Sequence, residues 1–306
     1  MSDIFRISSD LVDQLTAQEP ELSTFLGLPG RDHQWSDMSP AGYAARRSIW
    51  SEALAAAERC DTDGRKEDVA KAVLIAEAER ELRTIDSEHH LADLNNIASP
   101  WQGLRDTFDS MPDHTVEAWE NIIARLRTIG EPLDGYLQCL ELGLQAGASV
   151  AARQVTTAIE QGRIAAGADS GFGVLVQRYD AARDDNPSLG NDLRAQLEAA
   201  IADAKSAVGS ATDWLESEYL PNAADHDGVG RDRYVVAAER FLGQSIDTDE
   251  LYAWGWSELD RLTHRLAELC AQIDPAATPT EVVERLHTDP AFGAARTISR
   301  RACARQ

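Results

Sequence analysis

WLESEYLPNA (214–223), GVGRDRYVVAAERFLGQ (228–244) and DTDELYAWGWSELDRL (247–262) decide the fold of this chain. The first piece is the acidic end of a helix that Pro221 terminates, because proline cannot continue the backbone ladder. A short loop carrying Asp225, His226 and Asp227 follows. The second piece opens after Gly228 and Gly230 and reads as a helix with Arg233 and Tyr234 near its start. In the third, Asp247 precedes a helix whose Leu251, Gly255, Leu259, Leu262, Leu266 and Leu269 recur at three- and four-residue steps. None of this is strand-like alternation.

Outward from there the same grammar holds. Ser39-Pro40 is an N-cap followed by proline at the first helical position, and AGYAARRSIWSEALAAAER continues it. After Asp61-Thr-Asp-Gly64 a helix is predicted from Lys66 to near Asn95, burying Val69, Val73, Ala76, Leu82 and Ile85. The stretch from Ser99 to Thr115 reads as a loop. Thr115 then caps VEAWENIIARLRTIG. Ser188–Leu220 is another long helix with Leu193, Leu197, Ile201 and Ala204 on one face, and Thr278-Pro-Thr-Glu281 is a capping box. Ala, Leu, Glu, Arg and Gln dominate, turn signals fall at helix-length intervals, and no strand pattern is present. The expectation is an all-α chain. Trp50, Trp119 and Trp254 fit amphipathic faces as core residues; Trp101, after Ser99-Pro100, is the aromatic best placed to line a cleft, although packing is the simpler role.

Composition excludes several functions. A formal net charge of −23 over 306 residues argues against nucleic acid, whose phosphates need clustered Lys and Arg. It also disfavours anionic membrane surfaces. No apolar run approaches the roughly 18 residues of a membrane span, and the start, MSDIFRISSDLVDQL, lacks the basic and apolar regions of a secretory signal. The expected compartment is the cytoplasm. Cys60, Cys139, Cys270 and Cys303 lie far apart with no CxxC pair, which suits thiols rather than a disulfide framework or a zinc–thiolate site.

The search for chemistry finds little. A zincin site needs two histidines four residues apart with a glutamate beside the first. The nearest approach is Glu88-His89-His90, but adjacent histidines on a helix project about 100° apart. Asp260, His264 and Glu268 form an i,i+4 ladder, but on the side opposite the leucine stripe, so weak surface ion pairs account for them. There is no phosphate-binding loop, dinucleotide fingerprint, serine elbow or Cys/His nucleophile pattern. No catalytic residue, metal ligand or cofactor site is expected within this chain.

The order of the quoted pieces, with PELSTFLGL (20–28) near the start and DSMPDHTVEAWENIIARLRTI (109–129) between, resembles a bacterial family catalogued as domain of unknown function 885. Each piece is weakly specific; their order from roughly Leu11 to Pro290 carries the resemblance. The resemblance implies a zinc-metallopeptidase-like architecture, with a helical front half and a back half holding an HExxH-type motif. This sequence contains no HExxH, so zinc is expected only in a complete member, as is a peptide substrate. The same resemblance brings the Asp225–Asp227 loop towards the family's cleft, making His226, Arg233 and Tyr234 the candidate cleft residues. For Tyr234 the structural alternative is packing between helices with its hydroxyl satisfied.

Residues 1–292 are therefore expected to form one helical domain, the front half of a larger one. GAARTISRRACARQ (293–306) has four arginines and no acidic residue, and reads as a tail foreign to the fold, the mark of a truncated or frame-disrupted chain, or as an ordinary basic tail. Two functional readings stand. The chain is the front portion of a metallopeptidase-like enzyme, inactive alone, or a self-sufficient helical binding module. On the first reading its partner is a missing C-terminal half, or a second copy meeting it through an apolar face left open around Tyr252, Trp254 and Trp256.

Overall fold

The computed structural model of the protein describes residues 3–168 and 170–289. Among these residues the chain is all-α, with no strand; one isolated parallel bridge joins Ala151 to Ala224. No helix among them is long and apolar enough to cross a membrane. The chain separates into two compact units, one ending at Gln244 and one beginning at Ser245.

The first unit begins with α1 (Asp3–Gln18), α2 (Pro20–Phe25), α3 (Pro40–Arg59) and α4 (Arg65–Asp86). Ser39 caps α3 as its sequence predicts, its hydroxyl accepting from the amide of Gly42 at 3.3 Å. Helices α1, α3 and α4 enclose a small core of Ile4, Leu11, Leu15, Ala53, Ala57 and Leu74, with Trp50 packed partly buried against it. The buried face of α4 is Leu74, Ala78 and Thr84. Val69 and Val73, expected inside, are 54% and 62% exposed. Alanine-rich stretches leave several stripes of similar hydrophobicity, and the packing against α3 selects another one.

The helix predicted to run to Asn95 stops at Asp86. Glu88 takes a left-handed φ of 55°, and one 3₁₀ turn, His89–Ala92, follows. The kink lets Leu91, Ala92 and Leu94 all become buried, which successive positions of one straight helix face could not do. The segment expected to be a loop contains α5 (Pro100–Asp106) and a further 3₁₀ turn, Thr107–Ser110. The start signal was local: the Gln102 side chain accepts from the Ser99 amide at 3.0 Å.

The large core belongs to α6 (Val116–Thr128), α7 (Gly130–Gln145), α8 (Ala152–Ala166), α9 (Gly173–Asp185) and α10 (Asn191–Trp214). Helix α10 packs against all four others, presenting Leu197, Ala200, Ile201, Ala204, Val208 and Ala211. Its small residues let neighbouring helices approach closely. Trp119 is fully buried, makes an edge contact with Tyr179 (centroids 4.9 Å apart), and donates its indole N–H to the Asp113 carbonyl at 2.7 Å. Trp101 is also buried, its indole donating to the Ala158 carbonyl at 3.1 Å. Arg125 is fully buried; it donates to the Gln34 carbonyl at 2.9 Å and lies over the Trp35 ring. A π-helical turn, Leu215–Tyr219, ends the α10 rod, and α11 (Arg231–Leu242) closes the unit, running along α4.

The second unit is described for α12 (Thr248–Ile273) and α13 (Pro279–Thr288). Asp247 and Thr278 cap them as the sequence predicts. The only residues this unit buries, among those described, are Cys270 and Val282. Trp254, expected in a core, is 60% exposed. The 293–306 tail and Cys303 lie outside the described residues.

Candidate functional site

A cavity of the first unit, about 1020 Å³, lies where the 3₁₀ turn, the α7–α8 connection and α11 meet. Three local devices hold it open. The Tyr136 hydroxyl, at the end of a fully buried side chain, donates to the Asp93 carbonyl at 2.6 Å and pins the exit of the turn. The Ala224 amide donates to the Val150 carbonyl (2.9 Å) and the Ala152 amide to the Ala224 carbonyl (2.7 Å), stapling the 223–230 loop to the start of α8. The Tyr219 hydroxyl accepts from the Val150 amide at 3.0 Å. Each closes a backbone group that burial would otherwise leave unpaired.

Helix α11 supplies Arg233, Ala237, Arg240 and Phe241 to the cavity wall. Gly230, with φ of 82°, turns the chain into this helix, and Gly243, with φ of 69°, turns it out. The Arg233 guanidinium donates to the Ala92 carbonyl at 3.2 Å, so the cation is braced on the backbone of the 3₁₀ turn. Arg240 reaches Glu81 at 3.5 Å, and Arg83 of α4 pairs with Glu239 at 2.9 Å.

Beside them are His89 and Asp93. Burial pushes the Asp93 carboxyl above its usual range, with Arg240 and Arg233 opposing the shift. Burial pushes the His89 imidazole down, and the same two arginines add to it. Its Nε2 is buried without a hydrogen-bond partner. The wall therefore combines two fixed cations, a neutral imidazole and a carboxyl held towards its protonated form. Such a set receives an anion or a carbonyl oxygen, since fixed guanidinium donors meet oxygen acceptors at the strongest hydrogen-bond geometry.

Of the candidates read from the sequence, His226 and Arg233 both line this cavity and Tyr234 does not. His226 is exposed, its Nδ1 3.1 Å from Asp225 Oδ1, while Asp227 pairs with Arg153 at 3.0 Å. Tyr234 is 48% exposed. His89, Asp93 and Arg240 were not proposed as cleft residues from sequence. The Glu88-His89-His90 run, with Asp93 four residues after His89, was the signal, and it was weighed as a metal motif.

The residues do not fit a zinc site. His89 faces the cavity, whereas His90 stacks on Tyr43 with centroids 4.0 Å apart, and Arg46 lies over the other ring 4.1 Å away. The two imidazoles thus serve different surroundings. Asp260 and His264 lie on an exposed face, with His264 Nδ1 2.7 Å from the Asp260 carbonyl. Among the described residues no group of three or more His, Cys, Asp or Glu side chains is arranged to hold a metal. A second, smaller cavity of about 400 Å³ is apolar, floored by Trp101, Leu104, Leu133 and Phe172.

Comparison with known proteins places this chain in a family. The profile of the bacterial proteins of unknown function catalogued as DUF885 matches residues 20–304. The chain belongs to that family. Two solved structures share the fold: a "putative lipoprotein" from Colwellia psychrerythraea (TM-score 0.77, 16% identity, 95% of this chain and 55% of that one) and one "of unknown function" from Shewanella oneidensis (TM-score 0.68, 12% identity, 94% and 52%). At these identities the likeness is one of fold, and the chain spans about half the length of each structure. No curated protein matches it.

Proposed function

We propose that this DUF885 chain is the front, non-catalytic portion of a zinc-metallopeptidase-like protein, with the Arg233 cavity forming part of the wall that receives a peptide. The observation that carries this reading is the bracing of Arg233 on the Ala92 carbonyl inside a 1020 Å³ cavity of mixed polar and apolar lining, with Arg240 and Asp93 beside it. A guanidinium fixed in this way recognises carboxylates and peptide carbonyls in preference to apolar ligands. Solved relatives of about twice the length support the view that such a fold is built to continue. Zinc and hydrolysis then belong to residues outside this sequence.

The test is direct. Chelator-washed protein, dialysed against zinc, is expected to retain no stoichiometric metal and to leave fluorogenic peptides uncut. It is expected to bind short peptides with a free carboxylate more tightly than their amides, with Arg233→Ala abolishing the difference. One zinc per chain with peptide hydrolysis would overturn the non-catalytic assignment. Equal binding by wild type and Arg233→Ala would remove the cavity from it. The second reading, a self-sufficient helical binding module, rests on the same cavity; the coding sequence downstream of Gln306 separates the two, since an HExxH-coding frame there selects the first reading and another gene the second.

A further inference from the structure

Helix α12 carries a feature independent of the cavity. Tyr252, Gly255, Leu259, Leu262, Leu266, Leu269 and Ile273 follow one another at steps of three and four residues, the seam of a coiled coil. The side chains from Leu259 to Ile273 are between 42% and 51% exposed, and Tyr252 is 69% exposed. Helix α13 covers Cys270 on a neighbouring flank and leaves the seam open. With only Cys270 and Val282 buried, the described residues of this unit supply no core able to hold a 26-residue helix. Helices of this kind draw their stability from packing of the apolar face. The seam exposes on the order of 600 Å², at or above the largest patch a typical monomer leaves open.

We propose that this seam is a self-association surface on which a second copy of the chain lies antiparallel. Two observations choose the occupant and its direction. Glu258 and Arg265 lie one heptad apart on the same flank of the seam. Laying a second copy antiparallel, with Leu259 against Leu262 of the other copy, brings Glu258 beside the other copy's Arg265, and the two-fold axis repeats the pair. A parallel pair would bring Glu258 beside Thr263 and Arg265 beside Cys270, leaving both charges without a partner across the interface. In the antiparallel register Gly255 also faces Leu266, so the smallest residue of the seam receives a large one. Within one copy Glu258 already pairs with Arg261 at 2.6 Å and Arg265 with Glu268 at 3.2 Å, so both side chains are positioned before association. A contribution of about 600 Å² from each copy sits at the lower end of specific interfaces, the size class of weak and transient associations.

Sedimentation equilibrium of the full chain between 1 and 100 μM is expected to show a monomer–dimer equilibrium. Leu262→Glu, at a position already half exposed, is expected to weaken it at least 10-fold with helicity unchanged. Glu258→Arg and Arg265→Glu alone should each weaken it about 5-fold, and the double variant should return to within 2-fold of wild type. That recovery is specific to a self-complementary antiparallel pair, because the same exchange breaks both pairs within the helix. A monomer at 100 μM would overturn the proposal. So would a dimer indifferent to Leu262→Glu, or a double variant weaker than either single one.

Discussion

Gly143→Ala tests how the 3₁₀ turn is seated. Gly143 lies near the end of α7, and a Cβ there would stand 2.0 Å from the Leu91 carbonyl oxygen and 3.0 Å from that of Ala148. Real side chains do not approach a backbone oxygen so closely, so the His89–Ala92 turn must shift outward or α7 must bend. Intrinsic propensity works the other way, since alanine in a helix is better than glycine by about 0.8–1 kcal/mol. Overpacking costs typically 1–3 kcal/mol, and more where the obstacle is backbone, so the net expectation is a loss of about 1–3 kcal/mol. For a chain of this size that is a fall in Tm of roughly 2–5 °C. Gly103→Ala is the matched control: it lies in α5 with nothing within 4 Å of its Cβ, so it should be neutral or slightly stabilising. Differential scanning fluorimetry with urea melts gives both numbers. Because Leu91 sits beside the cavity residues His89 and Ala92, Gly143→Ala should also weaken peptide binding. A Gly143→Ala protein as stable as the Gly103→Ala control would show that the turn is not pressed against α7, and the account of the cavity's floor would fall with it.

Arg125→Lys should cost about 1–3 kcal/mol by urea denaturation, because lysine cannot reproduce the guanidinium fork that reaches the Gln34 carbonyl over the Trp35 ring. His90 is held neutral by burial, its pKa pushed down to about 4. A depressed value means that its contribution is complete above the unfolded pKa near 6.5 and is lost as pH falls through about 4. Thermal melts from pH 7 to 4 should therefore show His90→Phe, which keeps a ring on Tyr43, losing about 1–2 kcal/mol less than wild type across that window. Asp93 is shifted upward, so stability tied to its protonated form is present at low pH and lost as pH rises through its folded value. Asp93→Asn should accordingly gain on wild type between pH 4 and pH 8, and a constant difference would contradict the upward shift of that partly buried carboxyl.

Which parts of this were legible beforehand follows from the range of the interactions involved. Caps are local, and Ser39, Thr115, Asp247 and Thr278 all mark helix starts where the sequence put them. The stripe on α10 was legible because Leu197, Ile201 and Ala204 stand out from polar neighbours. The face of α4 was not, since Val69 and Val73 compete with Leu74 and Ala78, and α3 decides between them. Nor was the break after Asp86, which depends on burying Leu91 and Ala92 against distant helices. For the cavity, Arg233 and His226 were candidates through the family resemblance, while Arg240 enters only through the packing of α11 along α4. Trp254 was misread because an amphipathic pattern says that a face is to be covered without saying by what.

The position of α10 in the chain has a consequence for how the protein is made. Helices α6, α7 and α8 all bury their apolar faces against α10, yet they leave the ribosome before it does. The α1, α3 and α4 cluster can close on residues already synthesised. The Trp119, Leu126 and Val155 surfaces have to wait for Leu197 and Val208. At translation rates of about 5–20 residues per second, α6 is exposed for on the order of 5–15 s before its partner emerges. During that interval the nascent chain displays the future large core as open hydrophobic surface, so the demand for chaperones should be concentrated before residue 214 is made and fall once α10 has docked.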